Sequence, residues 1–169
     1  MIIISRTKFN VDKKLEDRTY NGIVFDSKME MQYYRDILCP LENSGDVTSI
    51  ELQKSYELQP KFQHDGKTVQ SIKYVSDFYV VYADGREEVI DIKGYPEPTA
   101  LLKRKMFWYH YPTVDYKWIT FIKKYGGWVD FEECKKLRAA EKQAKKELKE
   151  NENGKSEEER DDSDSQQID

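Results

Sequence analysis

The pattern of apolar positions first predicts a helix that follows a polar stretch. Ser27 and Glu30 match a capping box, in which each residue satisfies a backbone donor at a helix start. The apolar residues that follow have helical spacing: Met31, Tyr34 and Leu38. Because Pro40 cannot continue a helix, the spacing predicts a first helix near residues 28–38.

The next apolar stretches have the spacing and composition of strands. Residues 48–63 predict a strand or a bent strand pair, and residues 64–67 form a turn sequence. Residues 72–82 are apolar on both alternate faces, which is typical of a central strand covered on both sides. Asp84-Gly85 then turns the chain into a second strand that ends at Gly94, so the two strands form a hairpin.

A second helix and a further strand complete the pattern. Thr99 is placed to cap a helix over residues 100–110, which Pro112 stops. Its predicted apolar face is formed by three residues: Leu102, Met106 and Tyr109. Residues 114–122 predict a strand, and Gly126-Gly127 ends the compact region. This order predicts an α/β (α+β) domain around a mixed sheet.

Charge divides the chain into four segments. Residues 1–22 are predicted to be a polar arm, residues 23–130 the folded domain, residues 131–150 a charged helix and residues 151–169 a disordered acidic tail. Residues 1–130 carry 19 Lys and Arg against 19 Asp and Glu, so the net charge of −4 comes from the remaining residues.

Composition narrows the class of protein. No apolar run reaches the roughly 18 residues of a membrane span, and the charges that follow the first residues do not fit a signal peptide. We therefore expect a soluble protein of the cytoplasm. Cys39 and Cys134 have no accompanying ligand spacing, which predicts two reduced thiols.

Three charged residues interrupt the otherwise apolar hairpin. Asp77 lies in the first strand, and Asp91 and Lys93 lie in the second. A carboxylate removed from water costs several kcal/mol unless it is paired or binds a cation, so such acids are candidate metal ligands. Asp77 taken singly also fits a hydrogen-bonded core acid, and Asp91 with Lys93 also fits a solvated pair at a strand end.

The two acids share a face if the hairpin has one particular register or an equivalent β-bulge. This register places Tyr82 opposite Arg86, which leaves residues 83–85 as a three-residue loop. A two-residue loop would turn Asp77 to the opposite face. Gly85 occupies the loop position that favours a left-handed conformation, so the required register is sterically accessible.

In that register the residues suit phosphodiester hydrolysis. Asp77, Asp91 and the backbone carbonyl of Ile92 would supply hard oxygen ligands for Mg²⁺ or Mn²⁺. A metal at this place lowers the pKa of a bound water, and Lys93 can position that water or stabilise the charge that builds on the phosphate.

Segments spread over most of the chain resemble a known family. From about residue 8 to residue 122 the chain is similar to phage-encoded proteins of the Holliday-junction-resolvase-like branch of the PD-(D/E)xK nuclease superfamily. The segments that carry the resemblance are GIVFDSKMEMQYY, IELQKSYELQP, YVSDFYV, VIDIKG and KRKMFWYHYP. Ser76 stands where that signature often has proline. The resemblance implies a restriction-endonuclease-like αβββαβ core.

The resemblance also implies roles for further residues. Glu30 would be a helix-borne acid that reaches the metal directly or through a water, although a capping-box glutamate needs no such role. Gln53, Lys28, Lys103 and Lys105 would contact DNA, with Lys105 the favoured contact. The basic cluster at residues 103–105 also fits a solvated helix face.

Nearby aromatic residues have two interpretations. They could stack on bases, yet packing against the sheet is the favoured alternative. The residues concerned are Phe107, Trp108, Tyr109 and Tyr111.

The sequence therefore predicts a metal-dependent DNA endonuclease that acts in DNA recombination, replication or processing, including on branched DNA. Two alternatives stay open: a non-catalytic DNA-binding or assembly protein with the same fold, and a nuclease that acts on RNA. The neutral balance of residues 1–130 means that a local basic groove or a homodimer must supply the positive surface for DNA. No membrane and no small-molecule cofactor is expected.

Overall fold

The structure is a computed structural model that describes residues 14–94 and 96–164, with side chains as far as residue 149. The chain divides after Asp130 into two compact units. The helical segments of the first unit are α1 (Lys28–Tyr33), a π-helical segment (Tyr34–Leu38), α2 (Cys39–Ser44), α3 (Pro98–His110) and two 3₁₀ turns (Leu15–Arg18 and Lys123–Tyr125).

Eleven strands are found in the described part of the first unit. They are β1 (Thr19–Tyr20), β2 (Ile23–Val24), β3 (Val47–Leu52), β4 (Ser55–Gln59), β5 (Phe62–His64), β6 (Lys67–Val69), β7 (Ile72–Val75), β8 (Phe78–Tyr82), β9 (Glu87–Ile92), β10 (Asp115–Ile122) and β11 (Gly127–Asp130).

Five of these strands form the central sheet, in the order β11-β10-β9-β8-β3. β9 and β10 are parallel and are connected through α3, whereas the other neighbours are antiparallel. The predicted α/β (α+β) class with a mixed sheet is therefore confirmed. The order of the first helix, β3, β8, β9, α3 and β10 matches the predicted αβββαβ order.

The β8–β9 hairpin adopts the predicted register. Tyr82 N–H donates to the carbonyl of Arg86 over 2.9 Å, which leaves residues 83–85 as the loop. Gly85 has a φ of 83° and its N–H donates to the carbonyl of Tyr82 over 2.9 Å. The ladder continues to Phe78 opposite Ile90, so the next pair along the hairpin is the pair of acids.

One face of the sheet packs against the first helix. Alternate strand residues point to the same face, and here those residues are apolar. This core is formed by Phe25, Met31, Tyr33, Tyr34, Leu38, Val47, Phe78, Val80, Ile90, Ile92 and Ile119.

The predicted single strand over residues 72–82 is wrong, because the strand is interrupted at Ser76 and Asp77. Ser76 N–H donates to the carbonyl of Lys54 over 3.0 Å, and Asp77 N–H donates to the carboxylate of Asp91 over 3.3 Å. These two donors are thereby withdrawn from a continuous ladder. β7 consequently leaves the central sheet and pairs with β4.

The predicted end of the first helix at Pro40 is also wrong. The π-helical segment precedes this proline, and Cys39 N–H donates five residues back to the carbonyl of Tyr34. Such a turn shifts the hydrogen-bond pattern ahead of a residue that has no N–H. Pro40 then lies at the start of α2, which ends at Gly45 with a φ of 82°.

The start and the buried face of α3 differ from the prediction. Glu97 is the N-cap and Pro98 begins the helix, because the fixed φ of proline suits the first helical position, so Thr99 is not the cap. Arg104 and Phe107 are the buried residues, whereas Leu102 and Tyr109 of the predicted apolar face are exposed.

Regular structure extends beyond the predicted N-terminal boundary of the domain and beyond Gly126-Gly127, while the unit ends at Asp130, the predicted domain end. β1 and β2 form a hairpin around Asn21-Gly22, and Tyr20 and Ile23 pack on the core, so the predicted boundary at residue 22 splits this hairpin. β11 follows Gly126, where the sequence predicted the end of the compact region, and it pairs with β10. Residues 1–13 of the predicted arm lie outside the described residues.

The second unit consists of α4 (Phe131–Asp164). This helix continues past the predicted end at residue 150 into the segment predicted to be disordered. Glu, Lys and Arg favour helices and no proline interrupts the segment, which accounts for the extension. Residues 165–169 lie outside the described residues.

No helix in the described ranges is long and apolar enough to cross a membrane. Cys39 and Cys134 are both free, as predicted.

Candidate active site

The three charged residues of the hairpin meet at one end of the central sheet. Asp77 directly precedes β8, Asp91 is the fifth residue of β9, and Lys93 directly follows β9. Strand β9 is otherwise apolar from Val89 to Ile92, and Asp91 is only 2% exposed. Asp77 and Lys93 are half-buried. The site therefore has a buried floor and two groups that solvent can reach.

Asp77 and Asp91 hold each other in place across the hairpin. The backbone N–H of Asp77 donates to Asp91 Oδ1 over 3.3 Å. The backbone N–H of Ile92 donates to Asp77 Oδ2 over 2.7 Å. Each carboxylate thus accepts a hydrogen bond from the strand that carries the other one, and both face the same end of the sheet. The role predicted for the Ile92 carbonyl stays a prediction.

Lys93 is the cation of this cluster. Its Nζ lies 3.3 Å from Asp91 Oδ2, which confirms that the two side chains share a face. Burial alone would lower the pKa of Lys93, but the attraction of Asp91, Asp77 and Glu30 outweighs burial and raises that pKa. Lys93 therefore stays protonated at neutral pH.

Glu30 fills the predicted capping box and also contributes charge to the site. Ser27 Oγ accepts from the Glu30 N–H over 3.2 Å and donates to Glu30 Oε1 over 2.8 Å, while Asp26 N–H donates to Oε2 over 3.2 Å. Burial raises the pKa of Glu30 to about 7, and the charge of Lys93 acts in the opposite direction. The carboxyl is therefore close to its titration point at neutral pH.

The three acids of the cluster outnumber its single lysine. Burial, followed by the charges of Asp91 and Glu30, raises the pKa of Asp77 well above its usual range. A site that holds protons on carboxyl groups in this way lacks positive charge, and a divalent cation would supply it.

The donor set suits a hard cation with few protein ligands. In the part of the chain that the structure describes, no group of three or more His, Cys, Asp or Glu side chains converges as a metal site. Mg²⁺ is commonly held by one or two carboxylates and otherwise by waters and substrate oxygens. Asp77 and Asp91 fit that requirement.

A buried pair of aromatic residues supports Asp91 from the neighbouring strand. Tyr116 Oη donates to Asp91 Oδ2 over 2.9 Å, and Trp118 Nε1 donates to Tyr116 Oη over 2.7 Å. Trp118 is 2% exposed and lies opposite Asp91 in the parallel β9–β10 pairing. Neither residue was predicted from the sequence to belong to the site. Their alternation on the predicted strand was visible, but the pairing of that strand with β9 was not.

Gln53 borders the site through its backbone. Its N–H donates to the carbonyl of Asp77 over 3.3 Å, and its φ is 56°. A left-handed conformation is costly for a residue other than glycine, and such strain is concentrated at functional sites. The structure thus brings Gln53 to the predicted site.

The predicted basic contacts have different environments. Lys28, at the start of α1, and Lys105 are exposed, and Lys103 is half-buried. Arg104, by contrast, is buried, with its guanidinium carbon 3.9 Å from the centroid of the Trp118 ring. Arg104 therefore packs against Trp118, the residue that donates to Tyr116 beside Asp91.

The aromatic residues of α3 do not behave as one group. Phe107 is fully buried, and its ring centroid lies 5.0 Å from that of Tyr111. Trp108 and Tyr109 are 44% and 83% exposed. The favoured interpretation as sheet packing is confirmed for Phe107, and the exposure of Trp108 and Tyr109 contradicts it for those two residues.

Comparison with known proteins defines the family. Residues 6–127 match the family described as protein of unknown function, DUF1064. The match spans the α/β unit with its candidate site, and the chain belongs to this family. No curated protein matches the chain, and no solved structure matches it.

Proposed function

We propose that this protein is a metal-dependent DNA endonuclease of the PD-(D/E)xK type. The observation that carries the proposal is the reciprocal bonding of Asp77 and Asp91 at the end of the central sheet, with Lys93 beside them. Buried acids with perturbed pKa values that meet at one site favour a functional role over a structural one. Phosphodiester hydrolysis is the reaction class that such a trio suits.

Asp77 and Asp91 would hold Mg²⁺ or Mn²⁺, and Glu30 would approach it directly or through a water. Such a metal would activate a water for attack at neutral pH and would offset charge on the scissile phosphate. The raised pKa values of Glu30 and Asp77 support this assignment, because both carboxyl groups ionise more readily next to a cation.

The protein's own residues would orient the substrate and stabilise its charge. Lys93 is protonated and its side chain is 30% exposed, so its ammonium can donate to a non-bridging phosphate oxygen. Tyr116 fixes Asp91 Oδ2, so that the carboxylate does not rotate when a substrate enters. Lys28, Lys103, Lys105 and Gln53 would contact the DNA backbone around the site.

The test is cleavage of linear, nicked, flapped and four-way DNA in the presence of Mg²⁺, Mn²⁺ or chelator. Asp91→Ala and Lys93→Ala should each lower the cleavage rate by at least about 100-fold, since each removes a group that acts on the reacting phosphate. Metal-independent cleavage, or a rate unchanged by both substitutions, contradicts the proposal.

A second candidate is a non-catalytic DNA-binding or assembly protein with the same fold. It is favoured by the internal bonding of the acids, since Glu30 caps its own helix and Asp91 already pairs with Tyr116 and Lys93. DNA binding without cleavage on every substrate would support this candidate.

The proposed setting follows the resemblance of the sequence to phage-encoded resolvase-like proteins. The enzyme would act in DNA recombination, replication or processing in the cytoplasm of a bacterial host, and branched DNA is the substrate to assay first. A homodimer would bring two such sites to one junction.

A further inference from the structure

A long β-arm leaves the central sheet next to the candidate active site. It comprises residues 55–75, in which β4 pairs with β7 and β5 pairs with β6. Both of its ends are tied to the site. Ser76 N–H donates to the carbonyl of Lys54, and Gln53 N–H donates to the carbonyl of Asp77.

The stem of the β-arm, which consists of β4 and β7, is fixed by aromatic packing against α3. The ring centroids of Tyr56 and Tyr74 lie 5.0 Å and 5.5 Å from that of Phe107. Tyr111 Oη also donates to the carbonyl of Glu57 over 3.2 Å. The direction of the β-arm relative to the site is therefore set by a packed stem.

The tip of the β-arm, β5 and β6, has no such packing. All three residues of β5 are exposed, and β6 is exposed except for the half-buried Val69. A two-stranded hairpin that is open on both sides is marginally stable at best in water. Burial in the core thus does not account for the tip.

Neither face of the tip carries an acid. Gln63 pairs with Thr68, and their side chains form a hydrogen bond of 2.9 Å. By strand alternation Lys61 and Gln70 lie on the same face as this pair, so every side chain there bears a hydrogen-bond donor. The opposite face carries Phe62, His64, Lys67 and Val69. Asp65 is confined to the turn.

The three lysines of the β-arm form no ion pair with a described residue, although Glu57 lies opposite Lys73 in the β4–β7 pairing. These lysines, Lys61, Lys67 and Lys73, are exposed. Three other exposed cations are paired with nearby acids: Arg35 with Asp36, Arg86 with Asp84 and Lys135 with Glu132. The β-arm is therefore a place where positive charge is available to a partner.

We propose that the β-arm binds the phosphate backbone of DNA next to the candidate active site. Lysine, glutamine and threonine side chains are typical donors to phosphate oxygens. A two-stranded β-ribbon also fits the width of the major groove of B-DNA. The choice of DNA rests on the proposed function, but binding by the β-arm does not require cleavage.

The test measures binding in the presence of chelator, so that DNA is bound and not cut. Fluorescence anisotropy with a labelled duplex and a labelled four-way junction gives affinity between about 50 and 200 mM salt. The triple variant Lys61→Gln, Lys67→Gln, Lys73→Gln should bind roughly tenfold or more weakly. The slope of log affinity against log salt should fall by about 2 to 3, since each phosphate contact contributes about 0.9.

A matched control removes the same charge elsewhere. The triple variant Arg35→Gln, Arg86→Gln, Lys135→Gln changes three exposed cations that are already paired with acids, so its affinity and salt slope should stay close to wild type. A second variant replaces residues 60–71 by Asn-Gly, a turn that can close the hairpin between Gln59 and Ile72. It should bind DNA as weakly as the triple lysine variant, with an unchanged circular dichroism spectrum of the remaining fold.

The outcomes separate this inference from the proposed function. Equal losses in the β-arm and control variants, an unchanged β-arm variant, or a wild type that does not bind DNA would each overturn it. So would a β-arm replacement that changes self-association in sedimentation while DNA affinity is intact, since the β-arm would then be a protein contact. Binding that depends on the β-arm without cleavage supports the inference and removes only the nuclease proposal.

Discussion

At the scale of single residues, an excess of buried negative charge dominates the candidate site. Glu30 and Asp77 have raised pKa values because they are buried near other acids, and Lys93 is the cation among them. Asp91 is held by hydrogen bonds to Tyr116 and to the backbone of Asp77. The proposed cation site therefore carries an excess of buried acids, and this arrangement makes stability depend on pH.

The first prediction concerns the stability of the metal-free protein. Burial raises the pKa of Glu30 from 4.5 in the unfolded chain to about 7, so between these values only the folded state holds the proton. Its contribution is fully present below pH about 4.5 and is lost as pH rises through about 7. Urea unfolding in chelator should show stability falling over this range by up to about 3 kcal/mol.

Glu30→Gln is the matched variant for this prediction. Glutamine keeps the capping box but cannot ionise, so the loss of stability over the same pH range should become smaller. The raised pKa of Asp77 acts in the same direction, so part of the loss of stability should remain in this variant. An identical pH profile for wild type and Glu30→Gln would contradict the prediction.

The second prediction concerns Tyr116 as a positioning residue for Asp91. Tyr116→Phe removes the hydroxyl that donates to Asp91 Oδ2, so Asp91 should hold a divalent cation 10-fold or more weakly, on the scale of outer-shell substitutions. Calorimetric titration with Mn²⁺ measures this change without any cleavage assay.

Tyr82→Phe is the control for Tyr116→Phe. Tyr82 Oη donates to Glu88 over 2.5 Å, so its loss also breaks a bond between a tyrosine and a carboxylate. Its stability cost should be similar, while cation affinity stays unchanged. Equal cation affinities in Tyr116→Phe and Tyr82→Phe would show that Tyr116 is only structural.

At the scale of elements, the β8–β9 hairpin decides whether the acids meet. The three-residue loop sets the register, and that register places Asp77 and Asp91 opposite each other. A shift by one residue would send Asp77 to the other face of the sheet. The conformation of one glycine in the loop thus has a direct effect on the site.

The third prediction tests that glycine. Gly85 has a φ of 83° and no atom within 4 Å of an added Cβ, so Gly85→Ala should destabilise the protein by about 1 kcal/mol through backbone strain alone. Gly94 has equally open surroundings and no positive φ, so Gly94→Ala should change stability much less. Thermal unfolding of both variants measures this difference. An equal loss of stability in Gly94→Ala and Gly85→Ala would refute the role of the loop conformation.

At the scale of the whole molecule, the proposed site would couple cation binding to folding. A cation that binds only the folded state stabilises it by mass action, by about 2.7 kcal/mol at 100 times the dissociation constant. The fourth prediction is therefore that Mg²⁺ raises the melting temperature relative to chelator, most strongly above pH 7, where Glu30 is ionised.

The variant Asp77→Asn separates the stability of the metal-free fold from the stabilisation by Mg²⁺. Asparagine can still accept the hydrogen bond from the Ile92 N–H but removes a charge whose burial is unfavourable. The metal-free variant should be at least as stable as wild type, yet it should lose the stabilisation by Mg²⁺. A full Mg²⁺ effect in this variant would place the cation elsewhere.

The local features could be predicted from the sequence, because they depend on short-range geometry. Alternation and spacing located the strands and helices of the core, and the predicted register of the hairpin followed from strand period and Gly85. The capping box of Ser27 and Glu30 was likewise local, since it needs only residues three apart. Asp77, Asp91 and Lys93 were found as charges that interrupt apolar strands.

Which elements become neighbours depends on the three-dimensional fold and could not be predicted from local patterns. The break at Ser76 depends on a hydrogen bond to Lys54, 22 residues away in the chain, and so could not be found from periodicity. The support of Asp91 by Tyr116 requires the parallel pairing of β9 with β10, two strands that are connected in the chain through α3. Contacts between distant segments depend on the burial and pairing of the whole sheet, and a local pattern carries no information about that choice.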